Sequence, residues 1–124
     1  MARILVIDDE EELRRIIRMT LEQAGHEVVE ARNGGDGLRR QEEAAADLII
    51  TDIMMPETDG IETIIAMRRA NPGTRIIAIS GGGRVGDTDY LTLARKFGAI
   101  QVIAKPFRRE QLLEMVHACL TMAA

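Results

Sequence analysis

Side chains with phosphate and metal chemistry punctuate this chain at four places, each after a short apolar run. Asp8 and Asp9 close "ILVIDDE", Asp52 closes "LIITD", Ser80 closes "RIIAIS", and Lys105 with Pro106 closes "IQVIAKP". Singly, an aspartate after a strand reads as a helix cap, a serine as a turn residue and a lysine as a surface charge. Jointly they put three carboxylates, a hydroxyl and an ammonium at successive strand exits. Two carboxylates about 5 Å apart at an effective dielectric of about 20 repel by roughly 3 kcal/mol. Such a group needs a cation, and Lys105 with a divalent ion would supply it. A small oxygen-donor site of few carboxylates suits Mg²⁺. Neither histidine (His26, His117) falls at a strand exit, so no nitrogen–sulfur metal site competes with it.

The elements that must position these groups are legible as five apolar runs: Ile4–Ile7, Glu27–Ala31, Leu48–Thr51, Arg75–Ile79 and Ile100–Ala104. Four are nearly continuous and β-branched, as in strands buried on both faces. "EVVEA" is weaker and predicts a strand nearer an edge. Between the runs, apolar residues recur at helical spacing. The first stripe is Leu13, Ile16, Ile17, Thr20, Leu21 and Ala24, stopped by Gly25. Ile61, Ile64, Ile65 and Met67 form another, ended by "NPG". Tyr90, Leu91, Ala94 and Phe97 form a third, closed by Gly98, and Leu112, Leu113, Val116 and Leu120 the last. "GGDGLRRQEEAAA" predicts a short helix weakened by its three glycines. Five strand–helix alternations predict an α/β domain, doubly wound around a parallel sheet. Ligands of such folds bind outside the carboxyl ends of the strands, where the acidic set lies.

Composition narrows the function further. The 124 residues suit one domain, 1–124, and carry a net charge of −4 with Tyr90, Phe97 and Phe107 as their only aromatics. Neither a basic surplus nor a stacking platform is available for direct nucleic-acid binding. No apolar run approaches a membrane span and no signal peptide is read, so the cytoplasm is the expected compartment. Cys119 is the single cysteine, which excludes an intrachain disulfide and reads as a small core residue. The glycine-rich stretch "SGGGRVGD" (80–87) suggests a nucleotide loop. It follows the fourth strand rather than the first, however, and lacks the lysine–serine pair of a phosphate-binding loop.

Taken in order, Asp8-Asp9, "DIMMPETDG" (52–60), Ser80 and Lys105-Pro106-Phe107 resemble the receiver domain of two-component response regulators, over the whole chain. The resemblance implies a flavodoxin-like (βα)5 three-layer sandwich with sheet order 2-1-3-4-5. Asp52 would be the phosphoacceptor, taking a phosphoryl group from a phosphohistidine on a sensor histidine kinase or a histidine phosphotransfer protein. Asp9 and Asp52 would bind Mg²⁺ directly with the Met54 carbonyl, and Asp8 largely through water. Lys105 would pair with a phosphoryl oxygen. The Ser80 hydroxyl and the Met54 and Gly81 N–H groups would hold the others. Met55 and Pro56 read as structural, and Asp59-Gly60 as the start of the next helix.

The same resemblance implies signalling by population shift to a downstream protein, through the surface of the fourth expected helix, the fifth strand and the last helix. Many receivers carry an aromatic switch residue where this chain has Val102, so a rotating ring is not its relay. The run Gly81–Gly83 predicts a mobile loop. Met54 offers no acid or amide to position water, which predicts a long-lived phosphoryl state. With no output segment after residue 120, a stand-alone regulator is expected, monomeric or weakly dimeric, and not an enzyme. The alternative reading is a receiver-like interaction domain that is not regulated by phosphorylation.

Overall fold

The computed structural model of the protein describes residues 2–53, 60–80 and 101–121. Five strands, β1 (Arg3–Ile7), β2 (Glu27–Ala31), β3 (Leu48–Asp52), β4 (Arg75–Ser80) and β5 (Gln101–Ala104), form one parallel sheet in the order β2-β1-β3-β4-β5. The described helices are α1 (Glu11–Gln23), α2 (Gly34–Glu43), α3 (Gly60–Ala70) and α4 (Arg109–Thr121). The doubly wound architecture and strand order expected from the sequence are those observed, and "EVVEA" is an edge strand. The stripe from Tyr90 to Phe97, the loop Gly81–Gly83, Met55, Pro56 and Asp59 lie outside the described residues.

Strand alternation sorts the core into two layers. Ile4 and Val6, Leu48 and Ile50, Ile77 and Ile79, and Ile103 pack with Ile17 and Leu21 of α1 and Leu112 and Val116 of α4. Leu5 and Ile7, Ile49, and Ile76 and Ala78 face the other way, against Ile64 and Met67 of α3. Cys119 is buried in the first layer, as a small core residue should be. Val102 faces the second layer, packed against its cluster and level with Ala78 across the β4–β5 ladder.

The helix ends follow local chemistry. Gly25, at φ 95°, lets the chain leave α1 in the left-handed region. His26 N–H then donates to Leu21 C=O at 3.1 Å and Gly25 N–H to Glu22 C=O at 3.0 Å, the pairing that satisfies a helix's last carbonyls. At the start of α2, Asn33 Oδ1 accepts from Asp36 N–H at 2.8 Å, a cap that offsets the glycine cost. One glycine there has a packing reason. A Cβ on Gly37 would come within 2.9 Å of Ile7 Cγ1, so its absence lets α2 lie close against β1. On α1, Ile16 sits at the rim of the apolar stripe and is 59% exposed, contrary to its expected place in the core.

Candidate functional site

Asp8 leaves β1 and Asp52 ends β3, next to each other in the sheet. By alternation both continue the row of Ile4–Val6 and of Leu48–Ile50, the row that Ile103 and then Lys105 continue from β5. One pleat parity thus aims three chemically active side chains at the same point beyond the strand ends. Lys105 Nζ lies 3.1 Å from Asp52 Oδ2, 3.2 Å from Glu10 Oε1 and 3.8 Å from Asp8 Oδ2. The peptide between Lys105 and Pro106 is cis.

Burial sets the electrostatics. Asp8 is fully buried and Asp52 is 2% exposed. Desolvation, reinforced by the neighbouring Asp52 charge, pushes the Asp8 carboxyl up to about 6, against a lowering by the Glu10 N–H and Lys105. That N–H donates to Asp8 Oδ1 at 2.9 Å, whereas Asp8 Oδ2 is buried without a hydrogen-bond partner among the described residues. Burial by itself would lower the Lys105 pKa. The charges of Asp52 and Asp8 and the hydrogen bonds to Asp52 and Glu10 override it, and the ammonium is held above its ordinary range.

One carboxylate oxygen each from Asp8, Glu10 and Asp52 lies within 4.8 Å of the other two. Hard oxygen donors at this spacing, one with an unsatisfied buried lone pair, could hold a metal ion of the kind that prefers oxygen. The grouped carboxylates are compatible with a metal ion of that kind. Asp9, expected as a direct ligand, is exposed and not among the three, which include Glu10 beside the expected Asp8 and Asp52. A chain leaving β1 with Asp8 turned inward must turn Asp9 outward, which returns Glu10 to the inner side at the start of α1. The uninterrupted acidic run after Ile7 was the signal for Glu10; alternation was the means to read it.

Of the remaining candidates, Ser80 ends β4 level with Ala104 of β5, so its backbone stands at the same edge. Met54 and Gly81 lie outside the described residues. Val102 lies one residue off the parity of Ile103 and Lys105 and packs into the sheet's other layer rather than at the acidic cluster.

Two neighbouring features border the cluster. Arg14 donates from Nη1 to the Asp8 carbonyl at 2.8 Å, tying α1 to the β1 exit. An apolar cleft of about 400 Å³ begins at Glu10 and Lys105 and runs between α1 and α4 past Leu13, Ile16, Pro106 and Phe107. No helix among the described residues is long and apolar enough to cross a membrane.

Residues 4–117 match the family model of the response regulator receiver domain. Chemotaxis protein CheY of Bacillus subtilis (strain 168) is 35% identical over 119 residues, covering 95% of this chain and 97% of that protein. Transcriptional regulatory protein ResD of the same organism is 36% identical over 122 residues, 98% of this chain; the chain spans only 49% of ResD. A crystal structure of a response regulator receiver domain protein from Clostridium thermocellum has a TM-score of 0.89 at 33% identity, covering 97% of this chain and 94% of that one.

Proposed function

The chain belongs to the response regulator receiver domain family, and we propose that Asp52 is its phosphoacceptor in a Mg²⁺-dependent transfer that switches a signal to a partner. The observation that carries this reading is Lys105 Nζ at 3.1 Å from Asp52 Oδ2, beside a buried Asp8 oxygen with no hydrogen-bond partner among the described residues. An Asp52 oxygen attacks the phosphorus of a phosphohistidine. The new P–O bond forms as the P–N bond breaks, and its electron pair leaves with the imidazole, which takes a proton from water. Lys105 pairs with Asp52 beforehand, and afterwards can neutralise a phosphoryl oxygen without a large movement.

Asp52 and Asp8 would hold Mg²⁺ with Glu10, and exposed Asp9 would reach it from the solvent side together with the Met54 carbonyl. Bound there, the ion would neutralise the equatorial oxygens and the carboxylates around them. Ser80 and the Gly81 N–H would hold the phosphoryl group from the β4 side. The donor would be a sensor histidine kinase or a histidine phosphotransfer protein. The cleft that shares Glu10 and Lys105 with the site would offer a protein donor an apolar surface beside Asp52. A cytoplasmic regulator that is itself the acceptor, rather than an enzyme acting on a separate substrate, completes the proposal.

Incubation with Mg²⁺ and acetyl phosphate should add one phosphoryl group, read by intact mass. The adduct should be absent from Asp52→Asn and in the presence of EDTA. Equal labelling of wild type and Asp52→Asn would place the acceptor elsewhere. A wild type that is never labelled would favour an interaction domain that is not regulated by phosphorylation.

A further inference from the structure

A second polar cavity, of about 330 Å³, opens where β2 gives way to α2, facing α1. Arg14, Arg15, Arg32, Arg39 and Arg40 line it. Against them stand three lining carboxylates, Glu11, Glu30 and Asp36, which leaves the lining a charge of +2 on a chain whose net charge is −4. Clustered guanidinium groups repel one another unless anions intervene, and here the internal anions are unevenly shared. Arg14 is committed to Glu30 at 2.7 Å and to the Asp8 carbonyl at 2.8 Å. Arg39 lies between Asp36 at 2.5 Å and Glu43 at 3.4 Å.

The other three have donors to spare. The Arg32 guanidinium has no partner among the described residues. Arg15 reaches Glu11 only at 3.6 Å. Arg40 Nε stands 3.7 Å from Asp36 Oδ1, beyond a hydrogen bond, and is buried without a hydrogen-bond partner among the described residues. A buried donor left unsatisfied is costly, and planar guanidinium forks match phosphate oxygens in bidentate geometry. The excess of two positive charges, the unsatisfied donors and a volume roomier than one phosphate needs select a compact polyanion.

We propose that this arginine-lined pocket binds a diphosphate group, free or carried by a nucleoside, at a site separate from the acidic cluster around Asp52. Arg32 and Arg40 are the residues whose donors the anion completes, while Arg14 and Arg39 are held in place by carboxylates and shape the walls.

Titration calorimetry in EDTA at constant ionic strength, with pyrophosphate, ADP and sulfate as separate probes, tests the assignment. Pyrophosphate and ADP should bind one per chain, and sulfate at least tenfold more weakly. ADP binding tighter than pyrophosphate would identify a nucleotide as the carrier, and the reverse order the free anion. Arg32→Ala combined with Arg40→Gln should weaken binding tenfold or more. Arg32→Ala alone, a change confined to an exposed side chain that leaves folding intact, should weaken it several-fold. Asp52→Asn should bind as wild type does. No heat at millimolar pyrophosphate, sulfate binding as tightly as pyrophosphate, unchanged affinity in both arginine variants, or loss of binding in Asp52→Asn would each overturn the proposal.

Discussion

Burial disfavours the Asp8 carboxylate as an anion, and the Asp52 carboxylate beside it adds to the cost. With its pKa raised to about 6 from 3.8, the folded protein keeps a proton that the unfolded chain loses near pH 4. Stability attributable to this group therefore falls as pH rises from about 4 to about 6, and the loss persists above that window. Asp8→Asn should raise the stability of the metal-free protein at pH 7 by up to about 3 kcal/mol. It should change little at pH 3.5, where both forms are neutral. Asparagine also keeps an acceptor for the Glu10 N–H. Urea unfolding of both proteins at the two pH values in EDTA checks this, and a variant no more stable at pH 7 would refute it. The same substitution should lower acetyl phosphate labelling at least tenfold, because the site loses a metal-facing oxygen. Neither the burial of Asp8 nor the place of Glu10 was legible as motif; both follow from which way alternate residues turn on leaving β1.

Among the elements, α2 and α1 carry the sharpest expectations. Three glycines in α2 mark it in the sequence as a weak helix, but composition cannot say which of them is needed. The structure separates them: a Cβ on Gly35 would meet only Asn33 Oδ1 at 3.5 Å, whereas one on Gly37 would meet Ile7 Cγ1 at 2.9 Å. Ile7 is fully buried and its β-branched stem has little freedom to yield. Gly35→Ala should therefore stabilise by about 0.5–1 kcal/mol through helix propensity. Gly37→Ala should destabilise by about 1–3 kcal/mol through overpacking. Chemical denaturation of the two variants decides it, and equal shifts would mean that α2 can move off β1. On α1, periodicity placed Ile16 in the core because a stripe has no sharp rim; at 59% exposure it instead borders the cleft beside Phe107. Ile16→Ser should change stability by no more than about 0.5 kcal/mol. It should raise the KM for phosphotransfer from a protein donor about tenfold, a loss of roughly 1.4 kcal/mol in binding, while acetyl phosphate labelling is unchanged. Equal loss with both donors would place Ile16 in the chemistry rather than in docking.

Over the full chain, the spacing of nearly continuous apolar runs and of the helical stripes between them made the parallel sheet and its shared strand-exit edge readable in the sequence, whereas the division of the core into two layers is seen only in the fold. Asp8, Asp52 and Lys105 were legible for the same reason: each occupies the first positions after a buried run. What the sequence could not reveal was the cooperation among neighbours far apart in the chain, such as Lys105 with Glu10 or the arginines of α1 with those of α2. That cooperation has a global readout. A metal bound only by the folded protein adds RT ln(1 + [L]/Kd) to stability, about 2.7 kcal/mol at a hundredfold excess over Kd, which for a domain of this size raises Tm by roughly 10 °C. Because the ion would offset the burial and the Asp52 repulsion that make the Asp8 carboxylate destabilising in its absence, wild type and Asp8→Asn should differ in opposite senses with and without Mg²⁺. In EDTA the variant should melt at the higher temperature. As Mg²⁺ is added, wild type should rise steeply and the variant only slightly, so that the two curves cross. Scanning calorimetry across a Mg²⁺ series measures both slopes in one experiment. Parallel curves would show that Asp8 takes no part in holding the ion, and flat curves that the acidic cluster holds none.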